Sequence, residues 1–314
     1  MRLPGEFQEP SHRLRPARCR PATMPVSGAA LILFAMGAAT LIGQESDFEK
    51  ARTLYQDQHY AEAQPIFERI TSADPRNATA FYFLGALALR RNELPEAVRR
   101  LEMATRLDPA SALYQAELGD AYGASALQAG WISSVSLARK SQSAYQRAVK
   151  LEPANITHRL RLMNFYVHAP RLAGGGIEKA YDVAEAIRSR DPLQGGLAII
   201  TLHLGQKRWP QAFAEIDALQ PAHSEKPEFN YLLARLAAAS GQQLDRGEAA
   251  LLFFLSHPAP AGIATKAKAH ALLGEIREKI GNRSGALAAY RAAVELDSNF
   301  LTARQGIERL QGAR

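Results

Sequence analysis

The chain has 314 residues, 47% of them hydrophobic, with alanine and leucine dominant and β-branched runs scarce. That length suits two ordinary domains or one repeat array, and the composition favours helix, because Ala and Leu lose little freedom on entering one. The single cysteine, Cys19, excludes a disulfide framework or a cysteine-based zinc site within the chain, and a net charge of +7 without any Lys/Arg block gives no sign of a nucleic-acid surface.

Residues 26–42 form an uncharged apolar run preceded by Arg13, Arg15, Arg18 and Arg20 and followed by the polar Gln44-Glu45-Ser46-Asp47. A basic stretch, an apolar core and a polar start are the layout of a secretory signal. The run is short for a bilayer crossing, which takes about 20 apolar residues. Cleavage after Gly43 and retention as an anchor both remain open, as do starts at Met1 and Met24. The expected division is an N-terminal extension with signal or anchor over 1–43 and a repeat domain over 44–311.

Downstream, apolar and small residues recur at helical spacing. The first unit carries Ala51, Leu54, Tyr60, Ala63, Phe67 and Ile70, and closes on Asp74-Pro75. The clearest unit follows, with Phe81, Leu84-Gly85, Ala88, Ala97, Leu101 and Ala104, closed by Asp108-Pro109. The polar Arg90-Arg91-Asn92-Glu93 divides it into two helices joined by a tight turn. Gly85 and Ala97 fall where the two helices approach most closely, and Pro109 ends the second helix for want of an N–H. Pro75 to Pro109 and Gly85 to Gly119 both span 34 residues. The third unit is about ten residues longer, with the excess around Ala124 to Lys140, and the fourth about five longer, with the excess at Ala169 to Gly176. Both insertions are expected to be loops, since stacked helices cannot absorb extra residues. Trp131 is expected to plug the third-unit insertion against the next helix pair, and the Gly174-Gly175-Gly176 run to reverse the chain before a helix. Degenerate fifth and sixth units centre on Trp209, Ala212 and Leu219, and on Leu233-Ala234, Gly241 and Leu251. The last holds Leu273-Gly274, Gly281, Ala286, Tyr290, Ala293 and Leu296-Asp297, and a helix over 301–311 caps it.

Period, small residues and closing Asp-Pro together resemble the tetratricopeptide-repeat (TPR) family. The long third unit with Trp131 and the triple glycine in the fourth are similar to a set of exported proteobacterial members. The resemblance implies an all-α solenoid of about seven antiparallel helix pairs plus a C-terminal capping helix. It also implies a protein or peptide partner on the concave face, which the first helix of each pair lines. Carrying the family's groove positions onto this chain gives Arg52, Tyr55, Tyr82, Arg90, Asn164, His168, Tyr231 and Arg235 as partner-binding residues. Tyr and Arg commonly anchor interfaces. The Lys/Asn clamp of chaperone-binding members is missing, for Glu49, Tyr82 and Ala86 stand at its positions.

No constellation for catalysis is evident. The histidines are scattered without metal-ligand spacing, no Gly-x-Ser-x-Gly elbow occurs, and Ile177-Glu178-Lys179 after the triple glycine is not a phosphate-loop ending. The expectation is a non-catalytic scaffold or adaptor of the cell envelope, without cofactor or metal and without nucleic acid, periplasmic or exported. The alternative is an assembly factor for an envelope or secretion complex, held at the inner membrane and facing the periplasm through an uncleaved N-terminal helix.

Overall fold

The computed structural model describes residues 47–260 and 262–312; the signal or anchor expected over 1–43, with Cys19 and Met24, lies outside them. Among the described residues there are 15 α-helices and no strand. They are α1 (47–56), α2 (Tyr60–Ala73), α3 (Ala78–Arg90), α4 (Leu94–Leu107), α5 (Ala112–Gln128), α6 (Trp131–Leu151), α7 (Ile156–His168), α8 (Ile177–Arg188), α9 (Pro192–Gly205), α10 (Trp209–His223), α11 (Pro227–Ser240), α12 (Leu244–Ser256), α13 (Lys266–Ile280), α14 (Arg283–Leu296) and α15 (Leu301–Gly312). By backbone contacts the chain divides into two units, 1–66 and 67–314. In the first, Ala51, Ala63 and Ile66 are buried. In the second, each helix from α3 onward packs on its neighbour in the chain, and α15 lies over α14 as the cap.

The connections explain why the period is so legible. Asp74, Asp108 and Asp297 each accept a hydrogen bond from the backbone N–H two residues on, at 2.9, 3.1 and 3.0 Å. This Asx turn closes the second helix of a pair. Asn77 and Ser111, three residues after the Asp, then cap α3 and α5, accepting from Ala80 and Tyr114. Because the aspartate makes the turn, Ser298 serves as well as proline after Asp297. The turn inside a pair needs one left-handed residue, supplied by Gln58, Asn92, Lys207 or Gly281 in four of the pairs.

Within a pair the helices meet at glycine. A Cβ on Gly85 would stand 2.6 Å from the Leu101 side chain, on Gly119 2.7 Å from the Tyr145 ring, and on Gly274 2.6 Å from the Tyr290 ring. Tyr290 is held from both sides, because a Cβ on Gly306 of the cap would meet the same ring at 2.5 Å. The degenerate pairs keep the device in altered form: Gly196 faces Leu219 across α9 and α10, and Gly247 of α12 faces Ala237 of α11. Trp209 packs on the core of the fifth and sixth pairs, as expected.

Two expectations fail. The third-unit excess is not a loop: it lengthens both helices, α5 to 17 residues and α6 to 21, with only Ala129-Gly130 between them. The stretch is rich in Ala and Ser, lacks proline, and continues the helical spacing of small residues, so extension costs little. Nor is Trp131 a plug. It is 69% exposed at the first position of α6, beyond the last packed layer. The fourth-unit excess does form a loop, with a 3₁₀ turn at Arg171–Ala173 and Gly174 left-handed.

Replacing Gly274 with valine should lower stability by roughly 2 kcal/mol through overpacking against the clamped Tyr290 ring, read as a lower urea midpoint. A midpoint equal to wild type would show that the helices can separate freely. A second expectation concerns pH. Hydrogen bonds from Arg99, then Arg100, hold the Glu96 carboxyl down at about 2 against an ordinary 4.5, although burial opposes this. A depressed carboxylate stabilises the fold above its unfolded pKa, and the contribution disappears as pH falls through the folded one. Glu96→Gln should therefore be less stable than wild type at neutral pH, and the gap should close between pH 4.5 and 2.

Candidate functional site

The enlarged third and fourth units are packed on each other. Ala126 of α5, Ala138 of α6 and Ala173 of the 3₁₀ turn form one buried cluster, with Val135, Leu137 and Phe165 against it. The loop is tied down along its length. Arg139 donates to the Leu172 carbonyl at 3.0 and 3.3 Å, Gly176 N–H to Tyr166 O at 2.9 Å, and Lys179 to Gly174 O at 2.8 Å. Gly175 sits so close to the α7 terminus that a Cβ would fall 1.8 Å from Ala169 O.

Beneath this loop a cavity of about 310 Å³ opens between α5, α6 and α7. Its walls are apolar, from Ala126, Leu127, Ala138, Phe165, Ala169 and Pro170, and its floor is polar. There Tyr145 donates to Asp120 at 2.6 Å, and Arg161 bridges Asp120 at 2.6 Å and Glu117 at 3.0 Å. Burial pushes the Asp120 carboxyl up, although Tyr145 and Arg161 oppose the shift. Burial raises the Tyr145 hydroxyl too, helped by the Asp120 charge. For Arg161 burial works against the charge, but Asp120 and Glu117 outweigh it and raise the pKa. The floor is thus a hydrogen-bonded ionic set that fixes α7 on α5, with its one cation neutralised.

A second cavity of about 260 Å³ adjoins along α7, α9 and α11. Leu160, Met163, Leu197 and Leu232 give it an apolar bed, and Thr201, Gln194, Glu228, Tyr231 and Arg235 rim it. Asn164 lines both cavities and is the residue they share.

Four of the eight groove residues expected from sequence are gathered in this way: His168 and Asn164 at the first cavity, Asn164, Tyr231 and Arg235 at the second. Tyr231 leans on Phe254 with ring centroids 5.0 Å apart, and burial raises its hydroxyl pKa. The other four lie elsewhere. Arg52 pairs with Glu49 at 2.5 Å, and Tyr55 meets Tyr60 edge-on, both within the first unit. Tyr82 stacks on Tyr114 at 5.0 Å and is committed to packing, and Arg90 is exposed in the last turn of α3. Neither cavity is lined by these four. Sequence reading missed the floor set of Glu117, Asp120, Tyr145 and Arg161. Its signal was present: Glu117 and Arg161 are 44 residues apart, the length of the stretched third period. Among the described residues no group of three or more His, Cys, Asp or Glu could hold a metal.

Two segments, residues 48–112 and 267–300, match family models of the tetratricopeptide repeat. They are the regular ends of the array. Among solved structures, a tetratricopeptide repeat protein from Parabacteroides merdae is similar with a TM-score of 0.60 at 14% identity, covering 85% of this chain and 98% of its own. A chain of the APC/C hetero-tetramer Cut9-Hcn1 is similar with a TM-score of 0.50 at 16% identity, over 83% of this chain and 48% of that one. No curated protein matches the chain. Repeat signature, helix pairing and likeness of fold agree: the chain carries tetratricopeptide repeats at 48–112 and 267–300, and its fold is that of a tetratricopeptide-repeat array.

Arg161→Met should cost roughly 2 kcal/mol, because it leaves Asp120 and Glu117 together without their cation. Adding Asp120→Asn should recover part of that loss, as a double-mutant cycle by urea denaturation would show. Additive effects would mean that the three groups are not coupled.

Proposed function

We propose that this protein is a non-catalytic interaction scaffold of the cell envelope. It holds a peptide or protein segment in the groove over α5, α7, α9 and α11. The observation that carries the reading is that two neighbouring cavities share Asn164, one under the tied-down loop of the fourth unit and the other rimmed by Tyr231 and Arg235. Such a groove offers what an extended segment needs: apolar beds for side chains, and amide, hydroxyl and guanidinium groups at the edges for its backbone and carboxylates. The placement in the envelope, periplasmic or exported, rests on the apolar run over 26–42 and its arginine-rich flank. Among the described residues no helix is long and apolar enough to cross a membrane.

The test joins the four groove residues. The full chain carrying Asn164→Ala, His168→Ala, Tyr231→Ala and Arg235→Ala should keep its helical circular dichroism. It should lose, by at least about tenfold in affinity, whichever envelope protein the wild type retains. Undiminished binding by a folded variant would move the partner off this groove.

A further inference from the structure

The positive charge of this chain is not spread evenly. Between Asp120 and Glu178 stand seven Lys and Arg residues and one acidic residue, Glu152. Glu152 is already engaged, accepting from Asn155 at 2.8 Å and facing His158 at 3.2 Å. The excess is greatest on α6. Its 21 residues hold Arg139, Lys140, Arg147 and Lys150, five serines, and no Asp or Glu. At about 3.6 residues per turn, Ile132, Arg139, Ser143, Arg147 and Lys150 fall along one side of the helix, and all are exposed. Lys140 borders the same side, its ammonium 5.1 Å from the centre of the Tyr122 ring.

The start of this helix is apolar and bare. Leu127 is 90% exposed, Trp131 69% and Ile132 83%, around the turn at Ala129-Gly130. Trp131 continues the inward-facing stripe of the partly buried Val135 and the buried Ala138 and Tyr145, one turn past the last layer that has a partner. Leu172, 64% exposed, stands where Arg139 grips the loop. Large exposed apolar groups gathered at a tip mark a surface that meets something.

We infer that the tip and outer side of α6 dock on an anionic lipid surface. Trp131, Ile132 and Leu127 enter the headgroup region, while Arg139, Lys140, Arg147 and Lys150 lie against lipid phosphates. The chemistry favours this partner. Basic side chains next to Trp and aliphatic groups on one helix suit the interface between headgroups and acyl chains. Each Lys or Arg near such a surface adds attraction that salt screens. A nucleic-acid backbone would use the basic row but gain nothing from Leu127 and Ile132. Leu127 also walls the first cavity, but no residue of this surface lines the second, so a scaffold seated this way keeps the second cavity open to a partner.

The test uses the full chain with Trp209→Phe, which leaves Trp131 as the only tryptophan. Vesicles of phosphatidylglycerol with phosphatidylcholine should shift its emission to the blue, and vesicles of phosphatidylcholine alone should not. Lys140→Glu, Arg147→Glu and Lys150→Glu together should lower sedimentation with the anionic vesicles at least about tenfold, with helix content unchanged. Trp131 reports on the tip itself, so binding through the apolar run at 26–42 cannot imitate the shift. Sedimentation with unshifted Trp131 emission would overturn the inference. So would equal shifts on both vesicle types, or binding of a DNA duplex that the triple variant loses while vesicle binding stays. The groove variant of the preceding section should keep the blue shift, which separates failure here from failure there.

Discussion

Everything in this array depends on how closely two helices of a pair can approach. At Gly85, Gly119 and Gly274 there is no room for a Cβ, because Leu101, Tyr145 and Tyr290 occupy the space. A glycine in a helix interior costs roughly 1 kcal/mol in intrinsic propensity. Here that cost is offset by burial of a large side chain against bare backbone, for Tyr145 and Tyr290 are buried almost completely. The same rings then use their hydroxyls, Tyr145 on Asp120 and Tyr290 on Glu278, so each knob is fixed at its far end as well. Arg309 of the cap reaches Glu278 at 2.7 Å and extends the arrangement to the C-terminus. Helix crossing, stacking of the next pair and the position of the groove all follow from this contact.

That dependence sets what the sequence could disclose. Glycine, aromatic and Asp-Pro recur at a fixed interval because each does a local job, and local jobs leave local marks. The regular pairs and the cap were legible for that reason. The fifth and sixth pairs were less so, because the contact survives while its chemistry changes: Gly196 takes Leu219, and in the sixth pair the glycine moves to the second helix as Gly247. The candidate groove was half legible. Asn164, His168, Tyr231 and Arg235 line it, but Tyr82 has the family's position and is consumed by its stack on Tyr114. A position in a repeat identifies the side of the helix, while the neighbour one repeat away decides whether the side chain is free to meet a partner.

The two enlargements carry the other lesson. Extra residues in a stacked array need not leave as loops. Where the sequence still favours helix, they lengthen a hairpin, and the longer hairpin then requires something to cover its added layer. The loop of the next repeat does so, with Ala173 set between Ala126 and Ala138 and Gly175 packed on Ala169. The insertions are therefore coupled, and the cavity under the loop exists only because both are present. The cover stops one turn short of the tip, which is why Trp131 and Leu127 stay bare.

Charge is divided in the same way. Inside the groove Arg161 is matched by Glu117 and Asp120, so a segment lying there meets no free cation on the floor and is read largely by shape and hydrogen bonding. On the outer side of α6 no acid of that helix opposes Arg139, Lys140, Arg147 and Lys150. Neutralised charge deep in a groove gives position at the cost of desolvation, whereas unmatched charge on a surface gives long-range attraction that costs little until contact. An array that places the first kind on one side of a helix pair and the second on the other is arranged to hold two different things at once. On that reading the long hairpin of the third repeat is the element that joins the two tasks.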